Sequence, residues 1–100
     1  MTISGTTREW AVALRAGATQ LEEAAGEIAR GARASDAIQQ ALCAPPPIVG
    51  EAIRVAWSEA TGYTTRTKWD DIPTCACAYL RYAARIARRR AATYERMGGM

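Results

Sequence analysis

The sequence predicts an all-α protein, a small four-helix antiparallel bundle that forms a single domain over residues 1–100. Three observations support this fold class. Apolar residues recur three and four positions apart, which is the period of an amphipathic helix. No stretch alternates apolar and polar residues between turn signals, as strands do. Links that contain proline or glycine separate four periodic segments, and the short links among them join antiparallel neighbours. Residues 1–5 and 98–100 are expected to fray.

The first segment predicts a long helix. Thr6 and Glu9 form a capping-box pattern, in which each side chain bonds a free backbone N–H group of the first turn. An apolar seam follows at spacings of four and three residues: Trp10, Leu14, Gly17, Leu21, Ala24 and Ile28. Such a heptad seam suits antiparallel packing inside the bundle and also a coiled-coil dimer. Because glycines weaken the last turns, we expect the helix to end near residues 30–33.

A short second helix is predicted next. Ser35 or Asp36 has the side-chain oxygen that caps a helix N-terminus. Ile38 and Leu42 form its expected buried pair. The prolines at 45–47 end this helix, because they lack amide donors and hold the chain extended.

A third helix is expected to begin near Pro47 or Ile48, since proline is accepted in the first turn. Trp57 flanks an apolar stripe that repeats the spacing of four and three: Val49, Ile53, Ala56 and Ala60. Gly62 is the expected C-terminal cap, because glycine adopts left-handed backbone angles without strain.

Residues 63–73 form the long irregular segment of the chain. We expect Trp69 and Ile72 to hold this segment against the core. Thr74 is the expected cap of a fourth helix, which continues to about Met97.

The fourth helix carries the most informative pattern. At 100° per residue, five arginines fall within an arc of about 100°: Arg81, Arg85, Arg88, Arg89 and Arg96. The other side carries Tyr79, Ala83, Ile86, Tyr94 and Met97. One face is therefore expected to pack, and the other to present permanent positive charge, because guanidinium keeps its proton in proteins.

Arg90 departs from this pattern, since it projects into the apolar side of the helix. An unpaired charge is too costly to bury. Three outcomes are open: the helix extends beyond the core, Arg90 reaches a carboxylate such as Glu22 or Glu23, or a partner covers it. In the first outcome, Tyr94 and Met97 are exposed apolar groups that suit a protein contact.

Charge is divided unevenly along the chain. The net charge is −2 over residues 1–74 and +5 over residues 75–100. The basic helix therefore suits an anionic partner or an acidic surface of the same protein, although a solvated face with weak ion pairs is also open. We favour a protein partner with an acidic surface, because arginine and tyrosine are enriched at interface hot spots. The predicted contact residues are Arg81, Arg85, Arg88, Arg89, Tyr94 and Arg96. The alternative is a nucleic-acid-binding accessory protein that uses the same arginines with Arg66 and Lys68 of a basic loop.

The composition argues against enzyme chemistry. There is no histidine, so the commonest general base is missing, and no nucleophile motif or glycine-rich phosphate loop is present. Asp70 and Asp71 are adjacent and point apart, which favours a structural use. Cys43, Cys75 and Cys77 leave a tetrahedral zinc site one ligand short. Cys75 is expected on the buried flank of the last helix and Cys77 toward solvent. We predict no enzyme activity, no cofactor and no metal.

One part of the chain resembles a known family. Trp69 to Thr74, followed by Ala78, Leu80 and Ala83-Ala84, is similar to a recurring Trp-Asn-Asp, turn, Thr and helix pattern. This pattern occurs in a family of short, uncharacterised helical proteins from actinobacteria, and Asp70 stands where that family has asparagine. Gly50 to Ile53 resembles the family's Gly-Ala-Ile helix start. The resemblance implies a small helical fold and no particular activity.

The sequence therefore predicts a non-enzymatic protein-interaction module, a small regulator or inhibitor that is a monomer or a homodimer. No signal peptide and no long apolar run are evident, and the cysteine count is odd, so we expect a cytoplasmic protein with no membrane association. Its size and its composition rich in alanine and arginine suggest a phage or mobile element of a GC-rich bacterium.

Overall fold

The computed structural model describes residues 6–62 and 67–98, and these ranges contain four α-helices. They are α1 (Thr7–Ala29), α2 (Ala34–Leu42), α3 (Pro47–Thr61) and α4 (Pro73–Gly98), with a 3₁₀ turn (Trp69–Asp71) before the last. No strand occurs in the described ranges, so the all-α prediction is confirmed. Fraying was expected at residues 1–5 and 98–100. Of these positions only Gly98 is described, and it is the last residue of α4, whereas the others lie outside the described ranges.

The most extensive contact of the fold joins α1 to α4, which run antiparallel. Arg15, in the first half of α1, pairs with Glu95 near the end of α4. Glu22, further along α1, pairs with Arg88, which comes earlier in α4. Along this contact the residue numbers increase in α1 while they decrease in α4, as the antiparallel bundle requires.

The seam predicted in α1 lies in the core of the bundle. Thr6 caps the helix, since its Oγ1 accepts the backbone N–H of Glu9 at 3.1 Å. Trp10 is half-buried against the core, and the rest of the seam is buried: Leu14, Gly17, Leu21, Ala24 and Ile28. The protein thus uses the heptad spacing for its own internal packing.

Alanine is the most frequent buried residue of α1 and α4. Ala11, Ala18 and Ala25 recur every seven residues in α1 and are almost fully enclosed. The buried alanines of α4 are Ala76, Ala83, Ala84, Ala87 and Ala91. Because the distance between helix axes depends on the side chains at the contact, small residues let two long helices pack closely.

A residue from another part of the chain caps α2. The N-cap position is Arg33, whose side chain makes no capping bond, so the prediction that Ser35 or Asp36 caps the helix was wrong. Asp70 accepts the backbone N–H of Ser35 at 2.9 Å and the hydroxyl of Ser35 at 2.7 Å instead. These residues are 35 positions apart, and a local sequence pattern cannot show such a contact. Ile38 is buried as expected, while Leu42 is only half-buried.

The third helix has the predicted bounds. Pro47 is its first residue, and Gly62 ends it with a left-handed φ of 65°. The expected apolar positions are buried: Val49, Ile53, Ala56, Trp57 and Ala60. α3 comes very close to α1 at Gly17, where an added Cβ would lie 2.9 Å from Cγ1 of Ile53. A side chain at this position would push the two helices apart or displace Ile53.

Aromatic rings hold the segment before α4 against the bundle. The ring centroid of Trp69 lies 5.3 Å from that of Trp57 and 5.4 Å from that of Tyr79, both in edge-to-face orientation. Such aromatic pairs add stability beyond the area they bury. Ile72 is 40% exposed, so the expectation that it shares this anchoring role was wrong.

The fourth helix begins at Pro73, one residue before its predicted cap. The Ile72 carbonyl accepts the backbone N–H of Ala76 at 3.0 Å, which places Ile72 at the cap position. Thr74 therefore lies inside the first turn, and its predicted role as the cap was wrong. Proline starts the helix because its fixed φ is already helical and its missing N–H would have no partner there.

The buried face of α4 is rotated by roughly 70° from the predicted face. Tyr79 was expected on the packing face but is 40% exposed. Met97, expected on that face unless the helix extends beyond the core, is 59% exposed. The two cysteines were also assigned the wrong way round: Cys77 is buried with its thiol 3.4 Å from the Ala25 carbonyl, and Cys75 is exposed. The prediction centred the face on large side chains, whereas the close contact with α1 selects small ones.

Candidate interaction surface

A line of arginines runs along the side of α4 that faces away from the core. Arg81, Arg85 and Arg89 are exposed, and none of them forms an ion pair within the described parts of the chain. Each step of four residues advances a helix by about 6 Å, so these three positions span about 12 Å. Arg96 continues the line about 10 Å further on, where its guanidinium lies 3.5 Å from Oγ1 of Thr93. We call Arg81, Arg85, Arg89 and Arg96 the arginine row.

The local sequence explains why the row faces solvent. Leu80, Ala84, Ala87 and Ala91 recur at spacings of four, three and four and are buried, so they turn one side of α4 toward the core. The arginine row occupies the opposite side of the same helical repeat. Arginine also favours helix, so these charges do not oppose the formation of α4.

Arg88 was predicted to belong to this surface, but its charge is compensated within the fold. Its guanidinium donates two hydrogen bonds to the carboxylate of Glu22 in α1, at 2.5 and 2.7 Å. This pairing lowers the pKa of Glu22 and raises that of Arg88. Arg88 therefore joins α1 to α4 and contributes little free positive charge to the surface.

Arg90 reaches a carboxylate, which is the second of the three outcomes left open by the sequence. Its partner is Glu59 of α3, and neither Glu22 nor Glu23 is involved. The Arg90 side chain remains 40% exposed. The arginine on the apolar side of α4 thus connects this helix to α3 at the edge of the core.

Tyr94 lies away from the arginine row. Its side chain is half-buried and packs against the core. With Trp10, Leu14 and Val55 it lines a cavity of about 110 Å³ between α1, α3 and α4. The predicted surface that combines Tyr94 with the arginines is therefore divided between two sides of the helix.

Tyr82 is the aromatic residue that accompanies the arginine row. Its side chain is 50% exposed. It lies three residues after Tyr79 and three before Arg85, and by rotation it is about 20° from Arg89. Helical spacing places Tyr82 at the edge of the basic arc, whereas the aromatic contact predicted from the sequence was Tyr94.

The basic loop of the alternative interpretation is only partly described. Lys68 is exposed immediately before the 3₁₀ turn, whereas Arg66 lies outside the described residues. Asp70, in the same turn, is engaged as the cap of α2 and also pairs with Arg33 at 3.2 Å. Its pKa is lowered, chiefly because it accepts the backbone N–H and the hydroxyl of Ser35.

The cysteines and carboxylates do not converge. Cys43 and Cys75 are exposed and Cys77 is buried, and all three thiols are free. Within residues 6–62 and 67–98, no three cysteine or acidic side chains are placed so that they could hold a metal ion together. The pKa of Glu95 is lowered by its hydrogen bonds from Arg15, which are part of the contact between α1 and α4.

Comparisons with protein families, with curated proteins and with solved structures found no match. The resemblance to the short actinobacterial helical proteins therefore stays a prediction. Among the helices described, none has both the length and the apolar character that a membrane crossing requires.

Proposed function

We propose that the protein is a non-enzymatic interaction module, a small regulator or inhibitor, that binds an acidic surface of another protein through the arginine row. The observation that carries the proposal is the division of charge on α4. Arg88 and Arg90 are ion-paired to α1 and α3, while Arg81, Arg85 and Arg89 project into solvent in one line. Evenly spaced free guanidinium groups favour rapid association with a surface of opposite charge.

A protein partner fits the surface better than a broad polyanion. The row is one residue wide, and the paired carboxylates of Glu22 and Glu95 lie along the α1 side of α4. Tyr82 places an exposed aromatic ring beside the guanidinium groups, and tyrosine with arginine is the combination enriched at protein interfaces. The step of about 6 Å also equals the spacing of carboxylates four residues apart on a partner helix.

The proposal is tested by charge reversal with a matched control. The variant R85E/R89E changes two residues of the row, and R8E/R30E makes the same change in net charge at two exposed arginines of the α1 region. Wild type and control should retain an acidic protein from an extract of the native host, and R85E/R89E should not. With that protein purified, R85E/R89E should weaken binding by about tenfold or more, or about 1.4 kcal/mol.

Two results would contradict the proposal. Equal binding by R85E/R89E and wild type would mean that the arginine row is only a solvated face. Binding to duplex or single-stranded DNA that falls steeply with salt, with a log–log slope of about −4, would favour the nucleic-acid alternative. Thermal unfolding serves as the control for folding, since reversal at exposed positions should change stability by no more than about 1 kcal/mol.

A further inference from the structure

An open groove lies between the end of α1 and the beginning of α4. Its volume is about 460 Å³, which is within the range of about 300–1,000 Å³ typical of pockets that hold compact ligands. Its apolar lining includes Ile28, Ala29, Pro73 and Cys77. Arg81 is the one charged residue among the described residues that line it.

The groove and the arginine row form one continuous surface, because Arg81 belongs to both. Ala78, which also lines the groove, is exposed and lies on the side of α4 that carries the row. Its small side chain leaves room for another chain to pass from the groove onto the row. A single segment bound here would therefore meet apolar groups first and free guanidinium groups next.

We infer that the partner presents one segment with a bulky apolar side chain next to acidic residues. The apolar side chain enters the groove, and the carboxylates bind Arg81, Arg85 and Arg89. This inference rests on the proposed function and specifies the chemistry of the partner. The surface has the usual organisation of an interaction hot spot, in which a buried apolar anchor is bordered by charged groups.

The length of the segment follows from the helix geometry. From Cys77 to Arg89 the axis of α4 advances by about 18 Å. An extended segment covers that distance with about five or six residues, and a helical segment with about twelve. Both conformations fit within a peptide of about fourteen residues.

The test uses a display library of random peptides of about fourteen residues, selected against the full chain. Enriched peptides should combine one bulky apolar residue with at least two acidic ones. A selected peptide is then synthesised and titrated against wild type, Ala78→Trp and Ala16→Trp. The first variant fills the groove from an exposed position, and the second adds the same side chain at an exposed position of α1. Ala78→Trp should weaken binding by about tenfold, and Ala16→Trp by less than about threefold.

The outcomes separate this inference from the proposed function. If R85E/R89E loses the peptide while Ala78→Trp binds it as wild type does, the groove plays no part and only the inference fails. If both variants bind the peptide as wild type does, the peptide occupies neither the groove nor the arginine row and the inference fails; the proposed function fails only if R85E/R89E also retains the acidic host protein. Enrichment of neutral or basic peptides, or no enrichment above the R85E/R89E background, also overturns the inference. Ala29→Trp fills the groove from α1 and replaces Ala78→Trp if circular dichroism shows that the latter is unfolded.

Discussion

Replacing Gly17 with alanine distinguishes helix preference from packing between α1 and α3. In a helix interior, alanine is more favourable than glycine by about 1 kcal/mol. The new Cβ would lie 2.9 Å from Cγ1 of Ile53, which is shorter than any normal carbon contact, and Ile53 is fully buried. Overpacking of a core costs about 1–3 kcal/mol. We therefore expect Gly17→Ala to lower the free energy of unfolding by about 0–2 kcal/mol.

Gly26 provides the matched control within the same helix. A Cβ at this position would lie 3.3 Å from Nη1 of Arg30, the flexible end of an exposed side chain that can move aside. Gly26→Ala should keep the gain in helix preference and raise the free energy of unfolding by up to about 1 kcal/mol. The difference between the two variants, about 1–3 kcal/mol, then measures the steric contact alone.

Urea unfolding followed by circular dichroism measures both variants. Stability is compared through the denaturation midpoint, provided that the dependence on urea concentration is unchanged. In thermal unfolding, a difference of 1 kcal/mol corresponds to about 4–8 °C for a chain of this size. Equal stabilisation by the two substitutions would show that α1 and α3 do not approach each other closely at Gly17.

Two further predictions concern acidic side chains. Asp70→Ala removes the cap of α2 and should lower the melting temperature measured by circular dichroism. Asp71→Ala changes an exposed neighbour and should alter stability by no more than about 0.5 kcal/mol. Equal melting temperatures of the two variants would exclude the capping role of Asp70. The pKa values of Glu22, Asp70 and Glu95 are lower in the folded state than their ordinary values, so the unfolded chain binds more protons as the pH falls. The urea midpoint of the wild type should therefore be constant from pH 7 to about 5 and decrease below about pH 4.5. In Glu22→Gln the midpoint should decrease less steeply than in the wild type, because one of the three carboxylates is removed. A midpoint that rises on acidification would contradict this expectation.

The number of helices and most of their bounds could be predicted, because the signals that mark them are local. Thr6 caps α1 through a residue three positions away, Pro47 begins α3, and Gly62 ends it with a left-handed backbone. Each signal acts within one helical turn. Local signals do not identify the start of α4, because Pro73 and Thr74 are both acceptable near the beginning of a helix. Only the backbone hydrogen bonds identify its first residue.

The arginine row could be predicted in part. Helical periodicity places Arg81, Arg85 and Arg89 on one side of α4, and the structure confirms their exposure. Helical periodicity cannot show that the charge of Arg88 is neutralised, because its partner Glu22 lies 66 residues away in the chain. Arg90 likewise finds Glu59 across 31 residues. Which charges remain free is a property of the packed helices.

The amino-acid sequence alone determines the helical class of this protein, the bounds of most helices and the alignment of its arginines, because helix periodicity and end signals operate over a few residues. Tertiary structure alone decides the rotation of α4, the side of the helix that carries Tyr94, the cap of α2 and the compensation of Arg88 and Arg90. These features depend on how closely α1 and α4 approach through their alanines, and on contacts between side chains that are dozens of residues apart in the chain. The surface proposed for partner binding is what remains charged and exposed once those contacts have formed.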